Sequence, residues 1–138
     1  MKTSIRLVVE LAKTQAMLSR RFDSGLGGLG LSEFTILYTL SLAEGETLRR
    51  IDLANKIGLT ASGVTRLLLP MEKIGLVKSG ESESDARIRC VKIAPGGKHK
   101  LEEALERMEL LMEELLAGEK QKKIQEVSDF IRTLGTRA

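Results

Sequence analysis

The chain has 138 residues, 42% of them hydrophobic and 30% charged, with 22 Lys and Arg against 19 Asp and Glu for a formal charge of +3. That mixture argues against wholesale disorder and fits a single domain of ordinary size. No apolar run approaches the roughly 20 residues that a membrane-spanning helix needs, and Glu10 and Lys13 interrupt the start where a secretion signal would be apolar, so the cytoplasm is the expected location and no membrane partner is expected.

Residues from about Thr3 to Phe22 are expected as a helix, because Ile5, Val8, Val9, Ala12 and Ala16 recur at steps near 3.6 while Leu7, Leu11 and Leu18 form a second stripe. Two stripes call for two packing partners. The next segment, DSGLGGLG, holds four glycines in six residues and reads as a loop. Its Gly25 to Gly30 match G-x-G-x-x-G, but that dinucleotide motif works behind a strand, and here the preceding segment is an amphipathic helix, so a flexible connector is expected. Ser32 reads as the N-cap of a short helix with Glu33 in its first turn and Phe34, Leu37, Leu40 and Leu42 or Ala43 on its apolar face, ended by Gly45.

Two helical stretches follow so closely that they form one unit: about Leu48 to Ile57, the turn Gly58-Leu59, then Thr60 as N-cap of a helix to Ile74. Leu53, Ala54 and Ile57 face Val64, Leu67, Leu68 and Met71, leaving Ser62, Gly63, Thr65, Arg66 and Leu69 outward, and Gly75 stops the second helix. Pro70 removes a backbone donor inside that helix and is expected to bend it, so groove contacts should come from earlier positions. Leu76 to Lys78 and Arg87 to Ile93 are short and alternating, with SGESESDA between them, and read as a two-stranded hairpin closed by Pro95-Gly96-Gly97. From Lys98, Leu101, Leu105, Met108, Met112 and Leu115 step by 4, 3, 4, 3 as in a coiled-coil seam; Gly118 interrupts, and Ile124, Val127, Ile131 and Leu134 line a last helix.

The expected fold is therefore mainly α with a small β-wing, a winged helix-turn-helix over residues 31–97 flanked by helical segments, 1–30 and 98–138, that serve dimerisation. Charge is divided accordingly: Arg49 to Lys100 carries 11 basic and 5 acidic side chains, whereas Leu101 to Glu126 carries 4 basic and 8 acidic. In such a unit the second helix enters the major groove of double-stranded DNA, which makes Thr60, Ser62, Thr65 and Arg66 the expected contacts there. Asp85, Arg87 and Arg89 lie at or just after the wing turn, where a guanidinium is favoured in a narrow minor groove and Asp85 can hold Arg87 by a bidentate pair. The plainer alternatives are a helix pair used only for packing and a solvated surface ion pair; Glu81 and Glu83 would repel phosphates.

No metal site, cofactor or enzymatic activity is expected, since the lone Cys90 and lone His99 sit in segments with other jobs and no nucleophile, base and orienting group fall at a recognisable spacing. Cys90 reads as a small apolar filler and His99 as a surface residue, while Tyr38 suits either an effector pocket or an interface hydrogen bond.

The run LRRIDLANKIGLTASGVTRLLLPMEKIGLVKS followed by ESESDARIRCVKIAPGGKHKL resembles the MarR family of winged-helix transcriptional regulators. Ile51-Asp52-Leu53-Ala54 is similar to the helix before the turn, Thr60 to Val77 to the recognition helix ending in E-K-x-G-L-V, Asp85-Ala86-Arg87 to D-x-R in the wing, and Ile93 to Gly97 to L-T-x-x-G. Ala86 stands where a basic residue often lies. The resemblance implies a homodimer whose first and last helices interlock, a repressor-type regulator on a near-palindromic operator, and often a small-molecule effector or sensed oxidant. The competing reading is a winged-helix protein-interaction module that does not read DNA.

Overall fold

The computed structural model describes residues 2–82 and 84–138, so the expectation for Glu83 lies outside the described residues. The chain divides into two compact units, residues 1–108 and 109–138. In chain order the elements are α1 (Thr3–Asp23), α2 (Leu31–Leu42), a 3-10 turn (Glu44–Glu46), β1 (Thr47–Arg49), α3 (Arg50–Ile57), α4 (Ala61–Lys73), β2 (Val77–Glu81), β3 (Arg89–Ile93), α5 (Pro95–Leu115) and α6 (Gln121–Arg137). No helix of the described residues is long and apolar enough to cross a membrane.

The first unit is organised around α2, which packs against α1, α3, β1 and β3. Its Ile36, Leu37 and Leu40 are fully buried with Leu53 and Ala54 of α3, Val64, Leu68 and Met71 of α4, and Val77, Val91 and Ile93 of the sheet. Of the two residues offered for the end of the apolar face, Leu42 is 71% exposed and Ala43, just past the helix, is half-buried, while Ile36 is fully buried. Ser32 does not cap the helix: Gly30 is the N-cap, without a side-chain cap, and the Leu31 N–H donates to Asp23 Oδ1 at 3.4 Å.

The glycine-rich connector is fastened rather than free. Leu26 and Leu29 are each 1% exposed, and Gly27 and Gly28 take positive φ so that the chain can turn both leucines inward. Burying these two side chains contributes about 1.5–3 kcal/mol each and offsets part of the entropy lost in ordering the loop.

The sheet has three antiparallel strands in the order β1-β3-β2, one more than the expected hairpin. Residues 47 to 49 pair with β3, Thr47 opposite Lys92 and Arg49 opposite Cys90, and Thr47 Oγ1 donates to the Val91 carbonyl at 3.0 Å. The stretch from Leu48, expected as helix, therefore begins as an edge strand, and α3 starts only at Arg50. Just before it, Gly45 and Glu46 both have positive φ, and the Glu46 carboxylate pairs with Lys98 Nζ at 2.7 Å.

Pro95-Gly96-Gly97 is also not a turn closing the wing but the first turn of α5. Proline suits that position because its missing N–H has no helical acceptor there and its φ is already helical. Both glycines are forced by close approach: a Cβ on Gly96 would lie 2.8 Å from the Gly75 carbonyl oxygen, and one on Gly97 would be driven into that of Leu76.

The second unit consists of the end of α5 and α6, separated by the break at Gly118, whose φ is +83°. No residue of α6 is buried, and Val127, Phe130 and Ile131 are exposed. Met112, Leu115, Leu116, Ile124, Val127 and Ile131 line an apolar groove of about 500 Å³. In the first unit, α1 buries only Phe22 and leaves Ile5, Leu7, Val8, Val9 and Met17 exposed.

Leu29→Ala is expected to cost about 2–4 kcal/mol of unfolding free energy by urea titration, against near zero for a loose connector. Gly97→Ala, a change that helps an ordinary helix by about 1 kcal/mol, is expected to destabilise instead by about 1–3 kcal/mol, because the Leu76 carbonyl occupies the methyl's place.

Candidate nucleic-acid interface

The helix-turn-helix is built by local backbone chemistry. Gly58 ends α3 at φ +73°, and the Leu59 N–H returns to the Ala54 carbonyl at 3.0 Å. Thr60 then caps α4, its Oγ1 accepting the Gly63 N–H at 3.0 Å. At the other end, Gly75 at φ +80° and the bonds Gly75 N–H to Glu72 and Leu76 N–H to Met71 complete a Schellman turn into β2. Pro70, exposed on α4, does not end the helix, which continues to Lys73.

This frame leaves Ser62 and Arg66 exposed in the first two turns of α4. Ser62 Oγ lies 3.3 Å from Thr60 Oγ1, and Arg66 has no ion pair among the described residues. Thr65 is less free than its spacing suggests. It is half-buried and accepts a hydrogen bond from Arg50 Nη1 at 3.4 Å, which occupies one of its lone pairs.

Arg50 is the residue that the sequence reading passed over. It opens α3, yet its Nη2 donates to Ser79 Oγ of β2 at 2.7 Å and to Glu72 Oε1 of α4 at 3.4 Å. Its side chain is only 20% exposed, and its Nε is buried with no acceptor among the described residues. The partners lie 15, 22 and 29 residues away, so no local pattern announces them.

In the wing, Asp85 and Arg87 meet as expected: Arg87 Nε donates to Asp85 Oδ1 at 3.2 Å, Nη2 to Oδ2 at 3.1 Å, and the Arg87 backbone N–H to Oδ1 at 3.0 Å. The Arg87 side chain is 90% exposed, so the pair aims the guanidinium rather than stabilising the fold. These hydrogen bonds, from the Arg87 side chain first and its backbone second, hold the Asp85 carboxyl below the usual carboxylate range. Arg89 lies apart from them on β3, opposite Glu81. A second fork joins Arg49 to Asp52 at the start of α3, lowering the Asp52 carboxyl and raising the Arg49 guanidinium.

The remaining side chains singled out from the sequence take ordinary surroundings. His99 pairs with Glu103 at 3.2 Å, Cys90 is half-buried on β3 as a free thiol, and Tyr38 is exposed with its ring stacked on Phe34 at 5.9 Å. Among the described residues no group of three or more His, Cys, Asp or Glu side chains is placed to hold a metal ion.

A helix-turn-helix followed by an antiparallel wing defines a winged helix-turn-helix protein. Residues 29–88 match the model of the MarR family. It is similar to the transcriptional regulator BldR of Sulfolobus solfataricus, with 25% identity, a TM-score of 0.83 and all of both chains covered. The M. tuberculosis regulator MosR, solved in complex with DNA, has 23% identity and a TM-score of 0.78, with 94% of this chain and 93% of that one covered. An HTH-type transcriptional regulator of Bacillus subtilis strain 168, YdgJ, is 25% identical over 114 residues, which are 81% of this chain and 66% of that protein.

Thr60→Ala is expected to cost about 1 kcal/mol of stability, since the Gly63 N–H loses its acceptor. Because the folded Asp85 carboxyl titrates below its unfolded value, its pair with Arg87 persists above the ordinary carboxylate range near pH 4 and is lost as pH falls through the lowered value. Carbon-13 titration of Asp85 should show a midpoint below that of a free aspartate, and Arg87→Ala should move it upward.

Proposed function

We propose that this chain is a DNA-binding transcriptional regulator of the repressor type, acting as a homodimer on a near-palindromic operator. The observation that carries the reading is the face of α4: a capped helix N-terminus with exposed Ser62 and an exposed Arg66 that has no ion pair among the described residues, next to a wing that holds Arg87 out into solvent. In this arrangement Ser62, Arg66 and the hydroxyl of Thr65 read base edges in the major groove, and Thr60 lies against the backbone at the helix start. Arg87, held by Asp85, enters the flanking minor groove, and Arg89 supports it from β3.

Dimerisation is supported by the apolar surfaces on α1 and α6, which a lone subunit would leave in water. Residues 1–30 and 98–138 supply that surface, and 31–97 supply the DNA contacts. A twofold pair of recognition helices implies half-sites about one helical turn, roughly 34 Å, apart. The DNA complex of MosR, which shares this fold, is consistent with such a mode.

Arg66→Ala is expected to weaken binding to a duplex enriched by the wild-type chain by about 1–3 kcal/mol while barely changing affinity for random duplex; equal losses on both would remove Arg66 as a base reader. Lys78, exposed on β2, serves as a phosphate contact in this reading, so Lys78→Ala should mainly flatten the salt dependence, by about one unit of log–log slope. Duplex affinity that does not change with salt would favour the interaction-module reading and defeat this one.

A further inference from the structure

Backbone joins the helix-turn-helix to the sheet at two places, the Gly75-Leu76 turn between α4 and β2 and the step from β1, paired with β3, into α3 at Arg50. One polar side chain adds a tie of its own between α3, α4 and β2. Arg50 of α3 bonds at once to Thr65 and Glu72 of α4 and, by its shortest bond, to Ser79 of β2. At the next residue of β2 the strand passes Gly80, around which a Cβ would find open space, and continues to Glu81 and the wing tip. Among the described residues, the Arg50 to Ser79 bond is the last side-chain hydrogen bond between the helices and the wing before the Asp85 to Arg87 fork.

We propose that Arg50 is a positioning residue that couples the wing to the recognition helix, fixing the angle between them so that Arg87 and the side chains of α4 engage one duplex together. The inference rests on the DNA-binding reading above. Its chemistry is specific to a guanidinium. Three acceptors on two elements are met from one planar fork, whereas an ammonium at the end of a lysine stem cannot reach them in that geometry. The fork is taken up by these three acceptors while Nε, among the described residues, stays buried without one.

The test is a double-mutant cycle between Arg50→Met and Arg87→Ala in the full-length chain, read as affinity for a duplex enriched from a random pool by the wild-type protein. Arg87→Ala alone is expected to weaken binding about tenfold, but threefold or less in the Arg50→Met background, where the wing is no longer aligned. The salt slope of Arg50→Met should match wild type. The same loss for Arg87→Ala in both backgrounds overturns the proposal. So does a salt slope flatter by about one for Arg50→Met, which would make Arg50 a phosphate contact.

Should Arg50→Met not fold, Ser79→Ala, which removes the shortest bond, takes its place in the cycle with the same expectations. Hydrogen exchange in the free protein tests the tie without DNA: Arg50→Met should speed exchange at the Ser82 and Ile88 amides of the wing and leave α4 unchanged. Unchanged wing exchange overturns the coupling, whereas a wild-type chain that enriches no duplex defeats the DNA-binding reading alone.

Discussion

The architecture turns on one crowded backbone junction. The Leu76 N–H closes the Schellman turn of α4, its carbonyl accepts the Ala94 N–H at 3.0 Å where β3 ends, and the first turn of α5 presses Gly96 and Gly97 against the Gly75 and Leu76 carbonyls. Recognition helix, wing and α5 are thus anchored at the same two peptide units. Any side chain at Gly97 would force them apart, so the constraint is steric and does not depend on a particular attraction.

From that junction the two faces of the sheet diverge in character. The inner face is apolar at Val77, Val91 and Ile93, which are buried in the core, and changes at Ser79 to the Arg50 network. Beyond it the wing is held by exposed forks and turns, whose worth lies in orientation: a solvated ion pair contributes little stability but narrows the rotamers of a long guanidinium. Stability and aim are therefore carried by different residues.

The proposed function requires this separation. Arg66 stays exposed and, among the described residues, has no ion pair that a phosphate or base would have to displace, whereas Arg87 is held outward by its pair with Asp85. The apolar surface of α1 and α6 is a second unspent resource, suited to burial between subunits rather than within one.

Much of the fold was legible in the sequence because its signals are local. Gly58 and Gly75 mark left-handed turns, Thr60 caps α4 three residues ahead of its donor, and the apolar spacing of Leu53, Ala54, Val64, Leu68 and Met71 follows the helical period. The pairing of Asp85 with Arg87 was equally readable, being two residues apart. Tertiary contacts decided what periodicity could not. Residues 47 to 49 became a strand because β3 offered them an edge 40 or more residues away, the connector's leucines were drawn into a core assembled by other elements, and Pro95-Gly96-Gly97 started a helix because carbonyls from the end of α4 left room only for hydrogen. Arg50 belongs with these: its meaning lies in three acceptors far along the chain, and only the folded packing of α3, α4 and β2 brings them within reach of one guanidinium.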